Sequence, residues 1–119
     1  MSRIAYVNGR YVPHTDATVS VEDRGFQFAD GIYEVISIYN GHYVDEIPHL
    51  DRWDRSLAAL SLPPAMPRVA MRQAMARMIR RNRVRDGILY MQLTRGTARR
   101  DAPFPTRSTR PSFVMTARN

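Results

Sequence analysis

Cysteine and lysine are both absent from this chain of 119 residues. Without cysteine there is no disulfide framework, no cysteine-based zinc site and no thiol nucleophile. Without lysine there is no side-chain amine to form a Schiff base, so these residues alone cannot run covalent catalysis by that route. His14, His42 and His49 are scattered and show no metal-ligand spacing. Glycine-rich phosphate loops are missing, and no particular Ser-His-Asp set is singled out. No apolar run approaches the length that crosses a bilayer. The opening MSRIAYVNGR carries no apolar stretch after its charges, so no secretory signal is expected and a soluble cytoplasmic domain is the expectation.

What is present is arginine. All 18 basic residues are of this type, against 11 acidic ones, for a net charge of +7. The bias fits either a GC-rich coding sequence or a nucleic-acid surface. A hydrophobic content of 44% over this length supports one domain, residues 1–119, with one core.

Residues Arg3 to Pro13 read as a hairpin about Asn8-Gly9, a dipeptide suited to a type I′ turn. Asn40-Gly41 predicts a second hairpin. It joins a strand over Ile32–Tyr39, with Ile32, Glu34, Ile36 and Ile38 on one face and Tyr33, Val35, Ser37 and Tyr39 on the other, to a return over His42–Val44. The stretch His14–Asp30 lacks periodicity and reads as an ordered loop. Leu50, Trp53, Leu57 and Leu60 predict an amphipathic helix over Pro48–Leu60. A second helix is predicted from Pro67 to about Asn82, with Met71, Met75, Met78 and Ile79 buried and Arg72, Arg77, Arg80 and Arg81 facing water. Ile88–Thr94 and Ser112–Thr116 read as strands flanking a polar loop over Arg95–Pro111. Strands, two helices, then strands, with hairpin turns, give an α+β fold: an antiparallel sheet with two helices on one face.

A few residues stand out chemically. Arg52 lies early in the first helix and could reach an anion at the sheet edge, although a solvated helix face paired with Asp51 is the plainer reading. Arg100 sits in a loop after a strand, where a guanidinium can fork onto a carboxylate or phosphate. Tyr33 and Tyr90 share strand faces with Ser37, Gln92 and Thr94, which suits either a pocket wall or tyrosines packed with their hydroxyls in water.

Taken as a set, Asp23-Arg24-Gly25-Phe26-Gln27-Phe28-Ala29-Asp30-Gly31-Ile32-Tyr33-Glu34-Val35, His49-Leu50-Asp51-Arg52, Tyr90-Met91-Gln92-Leu93-Thr94-Arg95-Gly96 and Arg100-Asp101 with Phe104-Pro105 resemble the N-terminal part of the class IV aminotransferases. These are pyridoxal-phosphate enzymes whose branches act on D-amino acids, on branched-chain L-amino acids, or as aminodeoxychorismate lyases. The likeness is greatest to the D-amino-acid branch. The resemblance implies that Arg52 contacts the phosphate of pyridoxal 5'-phosphate. It also implies that Tyr33, Val35 and Tyr90 line the substrate site, that Arg100 binds the substrate carboxylate, and that both arginines serve one pocket. It departs at Ala102, where the D-amino-acid branch has a histidine, and this keeps the branched-chain and lyase branches open. The reactive lysine of the family belongs to a C-terminal domain, so the chain reads as an N-terminal small domain with no catalytic residue of its own. Amino-acid and 2-oxo-acid substrates and a homodimer, with loops shared between subunits, are further implications. The reading from another class is a basic nucleic-acid-binding module built on Arg68–Arg85; the resemblance implies no nucleic-acid or membrane partner.

Overall fold

The computed structural model describes residues 3–105 and 109–119. Thr106, Arg107 and Ser108 of the anticipated polar loop lie outside the described residues. Strand β1 (Ile4–Val7) turns into β2 (Arg10–Pro13) through Asn8 and Gly9, both at positive φ (50° and 90°), as a type I′ turn requires. A short 3-10 turn at His14–Asp16 precedes helix α1 (Arg24–Phe28). Next come β3 (Gly31–Tyr39), β4 (His42–Tyr43), α2 (Glu46–Ala59), α3 (Arg68–Asn82), β5 (Gly87–Thr94) and β6 (Ser112–Arg118).

The strands form one sheet in the order β2-β1-β6-β5-β3-β4, with every pair antiparallel. Helices α2 and α3 cover one face, as the grouping of elements predicts. The core lies between them and the sheet: Leu50, Trp53 and Leu57 from α2, Met71, Met75 and Met78 from α3, and Ile36, Leu89, Met91 and Met115 from the strands. Asn82, the last residue of α3, donates from Nδ2 to the Ile4 carbonyl and accepts from the Ile4 N–H, which fastens the helix end to β1.

Three local expectations need correcting. The stretch His14–Asp30 is not loop throughout, because Asp23 caps a five-residue helix. Its Oδ1 accepts from the Gly25 N–H at 2.8 Å, and Ala29 closes the helix in the left-handed conformation at φ 55°. So short a helix leaves no periodic trace in the sequence. Helix α2 starts at Glu46 rather than Pro48, since proline in the first turn removes an N–H that has no intrahelical partner there. The return strand stops at Tyr43; Val44 adds only its N–H to the Ser37 carbonyl.

Met75 is fully buried and Trp53, the sole tryptophan, reports on the same core. Met75→Ala should lower unfolding free energy by about 2–5 kcal/mol, whereas Met75→Leu should change it by less than about 1.5 kcal/mol. Urea unfolding followed by Trp53 fluorescence checks both.

Candidate functional site

Strand β3 organises the site, because its alternation sends neighbouring residues to opposite faces. Ile32, Glu34, Ile36 and Ile38 point toward the helices, and Tyr33, Val35, Ser37 and Tyr39 point away. Glu34 is therefore a carboxylate on an otherwise apolar face, with a side chain only 5% exposed. An ion buried there needs partners, and α2 supplies two that stand three residues apart on one side of the helix. Arg52 grips Glu34 side-on, Nε to Oε2 at 2.9 Å and Nη2 to Oε1 at 2.8 Å, and His49 Nδ1 lies 2.7 Å from Oε1. Asp51, the partner considered from sequence, is bound instead by Arg68.

This grip leaves the other end of the guanidinium available. Arg52 is 59% exposed along its side chain, and Nη1 donates to no group among the described residues. A guanidinium has a side-on and an end-on edge, and only the first is used here. The second can fork onto another oxyanion.

Across the strand, Val35 pairs with Tyr90 and Tyr33 with Gln92 in the β3–β5 register. The rings of Tyr33 and Tyr90 stack with centroids 5.8 Å apart, and the Tyr90 hydroxyl donates to Gln92 Oε1. Burial, and secondarily the neighbouring Tyr33, raises the Tyr90 pKa, so its phenol stays a hydrogen-bond donor well above neutral pH. A cleft of about 240 Å³ opens beside Tyr33, lined by Gly25, Ala29, Gly31, Ile32, Gln92 and Thr94. Arg100 is on the loop beyond β5, exposed, with its guanidinium 5.4 Å from the centroid of Phe28. Ala102 is exposed on the same loop.

The structure thus gathers Tyr33, Val35 and Tyr90 on one face and sets Arg52 on the helix-covered side; the cleft beside Tyr33 is lined by neither Arg52 nor Arg100. What joins the two sides is the edge of β3. Strand β4 pairs with it only at Ile38 and Tyr39, so among the described residues the stretch 31–36 has a strand neighbour on the β5 side alone. That edge separates the side of the sheet that carries Arg52 from the side that carries Tyr33.

Sequence reasoning missed Glu34, although a charged residue at an alternating apolar position is the mark of a buried ion pair. It also missed Arg24 and Asp30. Arg24 is 2% exposed and its Nε donates to Asp30 Oδ2 at 2.8 Å; Arg95 Nε donates to the same oxygen at 2.7 Å. Among the described residues no group of three or more His, Asp or Glu is arranged to hold a metal ion, and no helix is long and apolar enough to cross a membrane.

Burial alone raises the pKa of Glu34 and of Asp30. In each case the facing hydrogen bonds and charges outweigh it, from Arg52 and His49 at Glu34 and from Arg95 and Arg24 at Asp30, and both carboxyls end below their ordinary values. As pH falls, the unfolded chain is then protonated first, so the stabilisation is complete above the unfolded-state pKa and is lost as pH drops through the lower folded value. The thermal midpoint should hold near neutrality and decline below about pH 4.3. Glu34→Gln should flatten that decline and leave the part due to Asp30, as circular-dichroism melts from pH 7 to pH 3 would read.

The class IV aminotransferase model ("Amino-transferase class IV") matches residues 31–119. D-alanine aminotransferase of Listeria innocua is 41% identical over 90 residues, covering 76% of this chain and 31% of the relative. Among solved structures, a T.th. branched-chain amino acid aminotransferase complexed with N-(5'-phosphopyridoxyl)-L-glutamate superposes with a TM-score of 0.88 at 18% identity, over 98% of this chain and 40% of that one. The 4-amino-4-deoxychorismate lyase of Pseudomonas aeruginosa gives 0.74 at 26% identity, over 96% and 39%. The chain therefore spans about a third of the length of the curated relative it matches. With three quarters of its residues inside the family match and the fold shared end to end, the chain belongs to the class IV aminotransferases.

Proposed function

We propose that this chain is the N-terminal domain of a pyridoxal-phosphate-dependent aminotransferase that moves an amino group from a D-amino acid of the D-alanine kind to a 2-oxo acid. The observation that carries the reading is the Arg52–Glu34 grip at the open edge of β3. It fixes a guanidinium without using its outward edge. That edge fits a phosphate oxyanion, and the name of the Listeria relative and the phosphopyridoxyl ligand of a structural neighbour support the choice of cofactor and reaction.

Bound pyridoxal phosphate would supply the electron sink that amino transfer needs. The tasks of this chain are binding and orientation. Arg52 holds the phosphate, with Glu34 keeping the guanidinium from swinging into solvent. Tyr33, Val35 and the Tyr90–Gln92 pair form a wall that keeps water from the reacting face and orients the substrate. Arg100 forks onto the substrate carboxylate. Covalent attachment is not among these tasks, since the chain has no lysine. On this reading the reactive lysine belongs to a following domain, the working protein is a cytoplasmic homodimer, and Arg100 serves the site of either subunit.

Ala102 supports keeping the branched-chain and lyase alternatives, because an apolar methyl in that place adds nothing to a carboxylate grip. A nucleic-acid role draws less support from α3. Arg68 is paired with Asp51 and Asp54, Arg72 with Glu46, and Arg77 and Arg81 both lie against the Tyr11 ring.

In the full-length protein, Arg52→Met should weaken pyridoxal-phosphate binding roughly tenfold to a hundredfold, the loss of a charge-assisted contact. Absorbance titration of the apoprotein with cofactor measures this, and an unchanged affinity would remove the reading. Transamination rates with D-alanine and L-leucine, beside lyase activity on aminodeoxychorismate, decide the branch.

A further inference from the structure

Arg24 is the most deeply buried arginine among the described residues, and the tasks described above leave it unused. Both edges of its guanidinium are engaged: Nε with Asp30 Oδ2 and Nη1 with the Asp101 carbonyl, each at 2.8 Å. Its Cζ lies over two rings, 4.8 Å from the Phe28 centroid and 5.7 Å from that of Phe104. Closed off in this way, Arg24 cannot itself bind an anion from solution. Its contacts lead instead to one loop.

That loop is held on both sides of Arg100. Upstream, the Ala98 N–H donates to the Glu22 carbonyl at 3.2 Å, and the Arg24 N–H to the Gly96 carbonyl at 2.9 Å. Downstream, the anchor is the Arg24 side chain on Asp101. Between these fixed points stand Arg99 and Arg100. The Phe28 ring adds a second link, because Arg24 and Arg100 both lie over it, at 4.8 and 5.4 Å. The Arg24 guanidinium is held in turn by Asp30, whose other partner, Arg95, donates from Nη2 to the Leu60 carbonyl.

We propose that Arg24 is a positioning residue for substrate binding: by holding the Asp101 carbonyl and sharing the Phe28 ring, it sets where Arg100 presents its guanidinium to the substrate carboxylate. This rests on the proposed reading of Arg100, and two kinds of measurement keep the parts separable. In the full-length holoenzyme, Arg24→Met should raise KM for the amino donor on the order of tenfold while kcat and cofactor affinity stay near their original values. In an Arg100→Met background the same change should add little, because the two residues act through one contact. Arg24→Lys, which keeps a cation beside Asp30 but cannot reach both acceptors with a planar fork, should fold and give a smaller rise in KM. Hydrogen exchange should quicken over 97–105 in both Arg24 variants and stay unchanged over 31–39.

Full additivity in the double variant, an unaltered KM in Arg24→Lys and Arg24→Met alike, or unchanged exchange over 97–105 would each overturn the proposal. If Arg100→Met leaves KM unaltered, the assignment of Arg100 fails and takes the substrate half of the proposal with it. The exchange measurement still decides whether Arg24 holds the loop.

Discussion

A carboxylate on the apolar face of β3 is the constraint around which this domain is arranged. Glu34 faces the helices between Ile32 and Ile36, where an unpaired charge would be prohibitive. The sheet can accept it only if α2 crosses with His49 and Arg52 over that position. The apolar stripe of the helix, Leu50, Trp53 and Leu57, fixes the same rotation from the other side. Burial and ion pairing therefore select one docking of α2, and Arg52 ends up with a fixed inner edge and an exposed outer one.

The second arrangement of charge lies at the end of the sheet where Gly31 of β3 pairs with Thr94 of β5. There Asp23, Asp30, Arg24 and Arg95 are packed where the chain enters and leaves the sheet. Asp23 takes the Gly25 N–H on one oxygen and the Thr94 hydroxyl on the other, and Thr94 in turn accepts from the Gly96 N–H. The close fit leaves no room at position 25, where a Cβ would come within 2.1 Å of the Thr94 methyl. A helix of five residues has little stability of its own. These contacts to β5 and its following loop hold it in place, and through them the loop bearing Arg100 is tied to the sheet.

Local pattern made much of the fold legible. The two Asn-Gly turns, the alternation of β3 and the helical spacing of Trp53, Leu57, Met71, Met75 and Met78 each carry a periodic or conformational signal. The site was less legible for a physical reason. Arg52 and Arg100 could be picked out by chemistry and family resemblance, but the partners that orient them are remote in sequence: Glu34 is 18 residues from Arg52, and Arg24 is 77 from Asp101. Single-residue patterns carry no information on such pairings. The expectation of one shared pocket was likewise beyond the reach of spacing, since it depends on which face of β3 each residue meets.

That dependence gives the register of β3 its importance. Tyr33 and Val35 face outward because Glu34 faces inward, and a slip of one residue would bury the tyrosine wall and expose the carboxylate that steadies Arg52. Several features exclude the slip. The β3–β5 ladder runs unbroken from Gly31↔Thr94 to Ile38↔Gly87. The Asn40-Gly41 turn fixes the far end, with the Asn40 N–H on Asp86 and the Gly41 N–H on the Arg85 carbonyl. At the near end Gly31 lies so close to β5 that a Cβ would stand 2.7 Å from the Leu93 carbonyl oxygen, which bars most neighbours from taking its place in a shifted pairing. A single strand thus couples the proposed phosphate grip to the proposed substrate wall. What keeps them in step is backbone pairing rather than any contact between the two groups.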